Sequence, residues 1–276
     1  MKKTLIVVAV LAATGLVRAD VSSINSTNMV GYVAVANSVN QTNTIITVPF
    51  EGCLSNGAAG FLADLVSTSG LTAASNPAQA DQLVVLTTDT HGLVYYYYWL
   101  QAGQGWTATN TETVLPGGTN NITSVTTNAN VFQISRGLGF WVKRVNPSAN
   151  NAPVFVQGQV STNIQSITVK PGLNLVGFAS PGSFSLNDFT WNGVYAPTSK
   201  VNTASNDHIM VVLPGGIVTN YFYFKQPPGI AWAKAAYSNA NNKWIDANFN
   251  PETDKIPAGQ GFWYLRRGGT TNLTLQ

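Results

Sequence analysis

"ISRGLGFWVKR" (134–144) and "IPAGQGFWYLRR" (256–267) are two versions of one motif, and their likeness governs how the chain is read. At an offset of 122, Ile134, Gly137, Gly139, Phe140, Trp141 and Arg144 fall on Ile256, Gly259, Gly261, Phe262, Trp263 and Arg266. Six identities in eleven positions, two of them aromatic, are not expected by chance. Working outward, "DQLVVL" (81–86) faces "DHIMVV" (207–212) and Trp106 faces Trp232, both at an offset of 126. "ITVPFEG" (46–52) matches "NLVGFAS" (174–180) at 128, and "FLADL" (61–65) matches "SLNDF" (185–189) at 124. The order is kept while the offset drifts, as loop insertions would make it, so the chain reads as two copies of one domain.

Each copy reads as β. Short alternating or apolar runs such as Tyr32–Ala36, Thr44–Phe50, Gln82–Leu86 and Gly139–Lys143 are separated by Gly, Pro, Asn and Asp. The second copy repeats them in Ser166–Lys170, Asn174–Phe178, His208–Leu213, Ile217–Lys225 and Gly261–Leu265. The expected class is all-β: two tandem duplicated β-sandwich-like domains, 20–160 and 164–276, after a cleaved signal peptide at 1–19. The paired glycines of "GxGFW" suit a tight turn or bulge leading into a strand, not a nucleotide loop, which needs a third glycine and a following helix.

The leader reading rests on "MKKTLIVVAVLAATGLVRAD". A basic start precedes an apolar run too short to span a bilayer, and Val17-Arg18-Ala19 supplies small residues for cleavage after Ala19. Lys2, Lys3 and Arg18 leave with that leader. The 14 basic residues then fall to 11, equal to the 11 acidic ones. A neutral mature chain argues against nucleic acid or anionic lipid as a partner. The charge is nonetheless split: three basic against six acidic groups in 20–162, eight against five in 163–276. Charged residues make up 9% of the chain, far below the roughly 25% of ordinary domains, which suits neutral polar extracellular surfaces. Cys53 is the one cysteine, so no internal disulfide holds the chain together.

"THGLVYYYYWLQ" (90–101) sets four tyrosines and a tryptophan in a row. Alternate strand residues face opposite sides. Aligned with the second copy at either 124 or 126, Tyr95, Tyr97 and Trp99 share a face with Tyr221 and Tyr223. Tyr96, Tyr98 and Leu100 share the other with Phe222 and Phe224, which is expected to be the core because it accepts residues without a hydroxyl. The first face, extended by Trp106 and Trp232, is the candidate binding surface: Tyr95, Tyr97, Trp99, Trp106, Tyr221, Tyr223 and Trp232. Such aromatics with polar tips can stack on the apolar C–H faces of a neutral polysaccharide.

Catalytic constellations are poor. His91 lies in an expected turn, and Asp207 and His208, as strand neighbours, point to opposite sides, so no triad forms there. No catalytic residue is assigned, and no cofactor is implied. The acidic loop "DANFNPETD" places oxygen ligands at Asp246, Asn248, Asn250, Glu252 and Asp254, a spacing able to wrap Ca²⁺. Pro251 sits where a calcium loop needs Gly, and the terminal Glu is missing, so a solvated turn is the competing reading.

The "NLVGF", "DHIMVV" and "GQGFWYLRR" segments resemble those of a paralogous family of secreted verrucomicrobial proteins of unassigned function. The resemblance covers the second copy best, and "ITVPF" in the first departs from it. It implies export and a β domain, and carries no catalytic residue across. The expected protein is therefore a non-enzymatic, secreted structural or interaction protein of the periplasm, outer surface or extracellular space. Its partners would be itself or other envelope components, with no membrane insertion of the mature chain. The alternatives are a carbohydrate-binding module on the aromatic face and, behind it, a glycoside hydrolase. Intact-mass measurement of exported protein should give a chain beginning at Asp20; retention of Lys2 or Lys3 would contradict the leader reading.

Overall fold

The computed structural model describes residues 30–35, 43–50, 59–89, 92–114, 120–123, 133–146, 152–160, 165–178, 182–196, 203–212, 217–226 and 238–275. The expected leader, Cys53, His91 and Trp232 lie outside the described residues. The chain is all-β, as its alternating runs require, and every pairing between named strands is antiparallel.

One sheet runs β2 (Asn43–Thr47), β9 (Gly139–Lys143), β4 (Gln82–Asp89), β5 (Gly92–Gln101), β6 (Gly105–Val114) and β7 (Asn120–Thr123), in that spatial order. A second runs β12 (Gly172–Gly177), β17 (Gly261–Arg266), β14 (His208–Val212), β15 (Val218–Phe224) and β16 (Lys243–Ile245). The two orders correspond strand for strand until β7, which has no counterpart among the described residues of the second. Over the first sheet lies a ribbon of β1 (Val30–Val35) and β10 (Val154–Gln159); β3 (Ala59–Phe61) pairs with β8 (Gln133–Ser135) beside it. Over the second lie β11 (Gln165–Val169), β18 (Thr271–Leu275) and the two-residue β13 (Trp191–Asn192). The helical spacing of "GFLADLVS" yields a single turn, α1 (Leu62–Leu65).

Alternation decides which side of each sheet is dry. Val33, Val35, Val154 and Val156 of the first ribbon close on Ile46, Leu83, Val85, Tyr98, Leu100, Phe140 and Val142 of the sheet beneath. In the second half Val169, Trp191 and Leu273 close on Val176, Ile209, Val211, Tyr221, Phe262 and Tyr264. Phe140 and Phe262 are 0% and 1% exposed, and each such side chain contributes about 1.5–3 kcal/mol by leaving water. The second core is the more aromatic. Trp244 stands edge-on to Trp191 (5.1 Å), Tyr223 (5.3 Å) and Tyr264 (6.0 Å).

Register corrects the expected faces. Tyr98 stands opposite Leu83, and Tyr221 opposite Ile209. Leu83 and Ile209 occupy corresponding places at the expected offset of 126, but Tyr98 and Tyr221 differ by 123. An odd offset exchanges the two sides of a strand. Tyr221 is therefore the core residue in the second half, while Phe222 and Phe224 point away from Ile209 and Val211. They join Ile245, Ala240 and Phe249 in a separate cluster on the far side. Tyr98 and Leu100 lie in the first core as expected; Phe224 is buried as expected too, but in this separate cluster and not beside Tyr221, with Phe222 half-buried against it. Ile46 pairs with Phe140 and Val176 with Phe262, so β2 and β12 correspond at an offset of 130 where the sequence match gave 128. That shift is even and leaves the sides unchanged.

Two buried ion pairs lock the halves in the same way. Asp81, just before β4, accepts from Arg144 Nη1 at 3.2 Å, both side chains 1% exposed. Its oxygens also accept from the amides of Thr72 (2.9 Å) and Val145 (2.9 Å). Asp207, just before β14, accepts from Arg266 Nη1 (2.6 Å), Tyr264 Oη (2.6 Å) and the amides of Tyr195 (2.8 Å) and Arg267 (2.6 Å). Each arginine also donates to loop carbonyls: Gly70 and Ala152 for Arg144, Gly193 and Gly269 for Arg266. Removing one member leaves the other charge buried without a partner. Asp207→Ala is expected to cost about 3–5 kcal/mol in urea unfolding. Lys255→Ala, which removes the exposed Lys255–Asp188 pair, should leave the midpoint nearly unchanged.

Candidate functional site

The aromatic face expected from sequence does not assemble as one surface. Trp106 is 4% exposed, sits in the first core and donates from Nε1 to the carbonyl of Val66 at 3.3 Å. It stands opposite Leu100, whereas Trp99 stands opposite Thr107, so the two tryptophans occupy opposite sides of the sheet. Trp99 is itself 7% exposed. Tyr221 is buried with its hydroxyl given to Asp254 Oδ2 at 2.6 Å, and Tyr223 is packed against the second core. Burial, with the Asp254 carboxylate beside it, pushes the Tyr221 hydroxyl well above the ordinary phenol range. Tyr95 and Tyr97 are placed by register opposite Leu86 and Val84. Trp232 lies outside the described residues.

The aromatics that do come together across the molecule are Trp141 and Trp263, whose rings meet edge to face at 5.2 Å. They belong to a cluster with Ile45, Leu175 and Val212 where the two halves join. This junction has an approximate two-fold pattern. The amide of Thr47 donates to Gly259 O (2.8 Å), and that of Gly177 to Gly137 O (3.0 Å). Ile46 bridges Gln260, and Val176 bridges Leu138. The "GxGFW" glycines explain the close approach. Gly137 and Gly259 have φ of 82° and 73°, the left-handed region expected of a tight turn. Gly139 and Gly261 serve a purpose the sequence did not reveal. A Cβ at Gly139 would stand 2.8 Å from Leu175, and one at Gly261 2.7 Å from Ile45. Each copy of the motif makes room for a strand of the other half. Gln260 adds a side-chain bond to the carbonyl of Val212.

The acidic loop is a hairpin end whose carboxylates turn to different partners. Asp246 Oδ1 accepts the amides of Asn248 (2.8 Å) and Asn250 (2.9 Å), and Oδ2 accepts Asn250 Nδ2 (3.1 Å). Slight burial opposes ionisation there, but the hydrogen bonds from Asn250 and Asn248 prevail and hold this carboxyl below its usual range. Glu252 reaches inward: Oε2 accepts Ser185 Oγ (2.6 Å) and the Leu186 amide (2.9 Å). Asp254 is held by Tyr221. The expected five-oxygen arrangement of Asp246, Asn248, Asn250, Glu252 and Asp254 is thus dispersed. Among the described residues no group of three His, Cys, Asp or Glu side chains converges as a metal site would need.

His208 does not engage Asp207, whose oxygens are filled by Arg266, Tyr264 and two amides. Its Nδ1 is buried without a hydrogen-bond partner. Burial, reinforced by the nearby Arg267, lowers its pKa despite Asp207. The sequence had shown both recurrences, Asp81 with Asp207 and Arg144 with Arg266, without showing that they pair. The members of each pair are far apart in the chain, and turn roles would also make an aspartate recur. No protein-family model matches the chain, and comparison with curated proteins finds no match.

Burial raises the Glu252 carboxyl above its ordinary value, against the pull of its Ser185 and Leu186 hydrogen bonds. The folded state therefore holds this proton more tightly than the unfolded chain. Its cost to stability is absent below the unfolded glutamate pKa and grows as pH rises through the folded one. Glu252→Gln removes the charge while keeping an acceptor. Thermal midpoints across that range should show wild type losing ground to the variant as pH rises; parallel curves would contradict the buried-acid assignment.

Proposed function

We propose that this chain is an exported, non-enzymatic structural or interaction protein that works outside the cytoplasm and associates with itself or with envelope components. The observation that carries this reading is how its distinctive side chains are used. The "GxGFW" motifs supply a closely packed junction between two similar β units, and the recurrent Asp and Arg residues supply internal locks. Chemistry-bearing groups are thereby committed to holding shape: Asp207 to Arg266, Glu252 to Ser185, Asp254 to Tyr221. The shared strand order and the matching junction contacts support an internal duplication as the origin of the two units. A short apolar leader, a neutral mature composition and the resemblance to secreted verrucomicrobial proteins support export. Among the described residues no helix is long and apolar enough to cross a membrane.

Self-association follows from the charge split between the halves. With three excess acids in 20–162 and three excess bases in 163–276, unlike halves of neighbouring molecules attract, and little net charge opposes them. A heterologous contact of that kind closes into rings or propagates as filaments. Sedimentation of the mature protein should show assemblies at low salt that dissociate as added salt shortens the screening length. Fractionation of the native host should find the protein in envelope or polymeric material; a free monomer at every ionic strength would overturn the assembly reading.

A further inference from the structure

We propose that the outer face of the β1–β10 ribbon is a stacking site for a neutral polysaccharide, centred on Tyr32 and Phe155. This names a partner class for the interaction protein proposed above. Tyr32 is 73% exposed, the largest exposure among the big hydrophobic side chains described, although it lies mid-strand. The strand's other side chains account for the position. Val33 and Val35 turn inward to the core, so alternation sends Tyr32 outward. Phe155, half-buried on the neighbouring strand, brings its ring to 6.4 Å from that of Tyr32, the planes tilted by 58°. Gln157 stands directly opposite Tyr32 and is exposed. Its Nε2 donates to the carbonyl of Asp64 at 3.1 Å, which holds the amide in place and leaves Oε1 to accept from a ligand hydroxyl.

A lone exposed tyrosine needs no explanation. The other half shows that this pair is not a demand of the fold. There the ribbon over the sheet is β11–β18, and Thr168 stands opposite Asn272, giving its hydroxyl to Asn272 Oδ1 at 2.8 Å. One ribbon thus presents a polar outer surface and the other an aromatic one, over cores built in the same way. The chemistry selects the occupant. Neither "VGYVAV" nor "VFVQGQ" contains a charged residue, so nothing on the ribbon's own strands attracts an ionic ligand. Two rings and an amide match the apolar C–H face and the hydroxyls of a pyranose. They are too small a patch for a stable protein interface, which takes about 800 Å² from each partner.

Affinity electrophoresis of the full chain through gels containing mixed-linkage β-glucan, xylan, galactomannan or starch tests this. Retardation by at least one of the four is expected, with Tyr32→Ala weakening it by about tenfold or more, as loss of a principal stacking ring would. Thr168→Ala, on the polar ribbon, should bind as wild type does. Tyr32 is mostly in water already, so its variant should unfold at the wild-type midpoint, and lost retardation then reports lost binding and not lost fold. Migration unaffected by all four polysaccharides, or full retardation of Tyr32→Ala, overturns the proposal. So does a Tyr32→Ala variant whose change is lost self-association in glycan-free sedimentation, since the face would then be a contact between copies. Salt-dependent assembly is read without any glycan, so either proposal can fail while the other stands.

Discussion

A buried carboxylate facing a buried guanidinium organises each half of this protein. Asp207 and Arg266 are almost fully withdrawn from water, and an isolated charge there would cost several kcal/mol. The structure offsets that cost by surrounding the pair with polar partners. Tyr264 Oη and two backbone amides complete the carboxylate, and Gly193 and Gly269 carbonyls complete the guanidinium. The start of one central strand, the end of its neighbour and the loops at 193–195 and 267–269 are thereby fixed together. Asp81 and Arg144 do the same with Thr72, Val145, Gly70 and Ala152. With one cysteine in the whole chain, such polar locks do what disulfides do in many exported domains: they tie loops to a core that apolar packing alone would leave free.

Beyond the locks, the molecule depends on how closely two sheets can approach. Leu175 sits over Gly139 and Ile45 over Gly261, distances that any side chain would obstruct. The tryptophans that follow two residues after each glycine then meet across the junction. A motif repeated in sequence thus becomes a contact between its own two copies. The same arrangement accounts for where the aromatic residues went. Among the described residues large rings fill the second core and the junction, while Tyr32, the most exposed of the big hydrophobic side chains, lies on a ribbon beside half-buried Phe155.

The instructive failure is the face of β15. The two alignments of this strand, at offsets of 124 and 126, are both even, and both placed Phe222 and Phe224 on the side of Tyr98. The hairpins differ by an odd number of residues once the strands are paired, which a comparison of residue types does not reveal. Phenylalanine over tyrosine seemed to mark the dry side. In fact Tyr221 is buried because Asp254 receives its hydroxyl, and a satisfied hydroxyl is no obstacle to burial. Phe224 is buried as well, in a small cluster on the opposite side beneath Phe249. Chemical type therefore pointed the wrong way where a polar partner was supplied from thirty-three residues along the chain.

What the sequence determined by itself was local: strands from alternation, turns from glycine, a twofold internal likeness from recurrence at a nearly constant offset. These follow from backbone geometry and from side-chain type within a few residues, so one chain suffices to read them. Tertiary structure alone decided three things. It paired Asp81 with Arg144 and Asp207 with Arg266, it chose which side of β15 faces the main second core, and it brought Tyr32 beside Phe155. Each rests on residues from 33 to 123 positions apart, and on register that a single loop residue can reverse. Recurrence can announce that a residue matters, but pairing sets what it touches, and that was the work of the folded sheets.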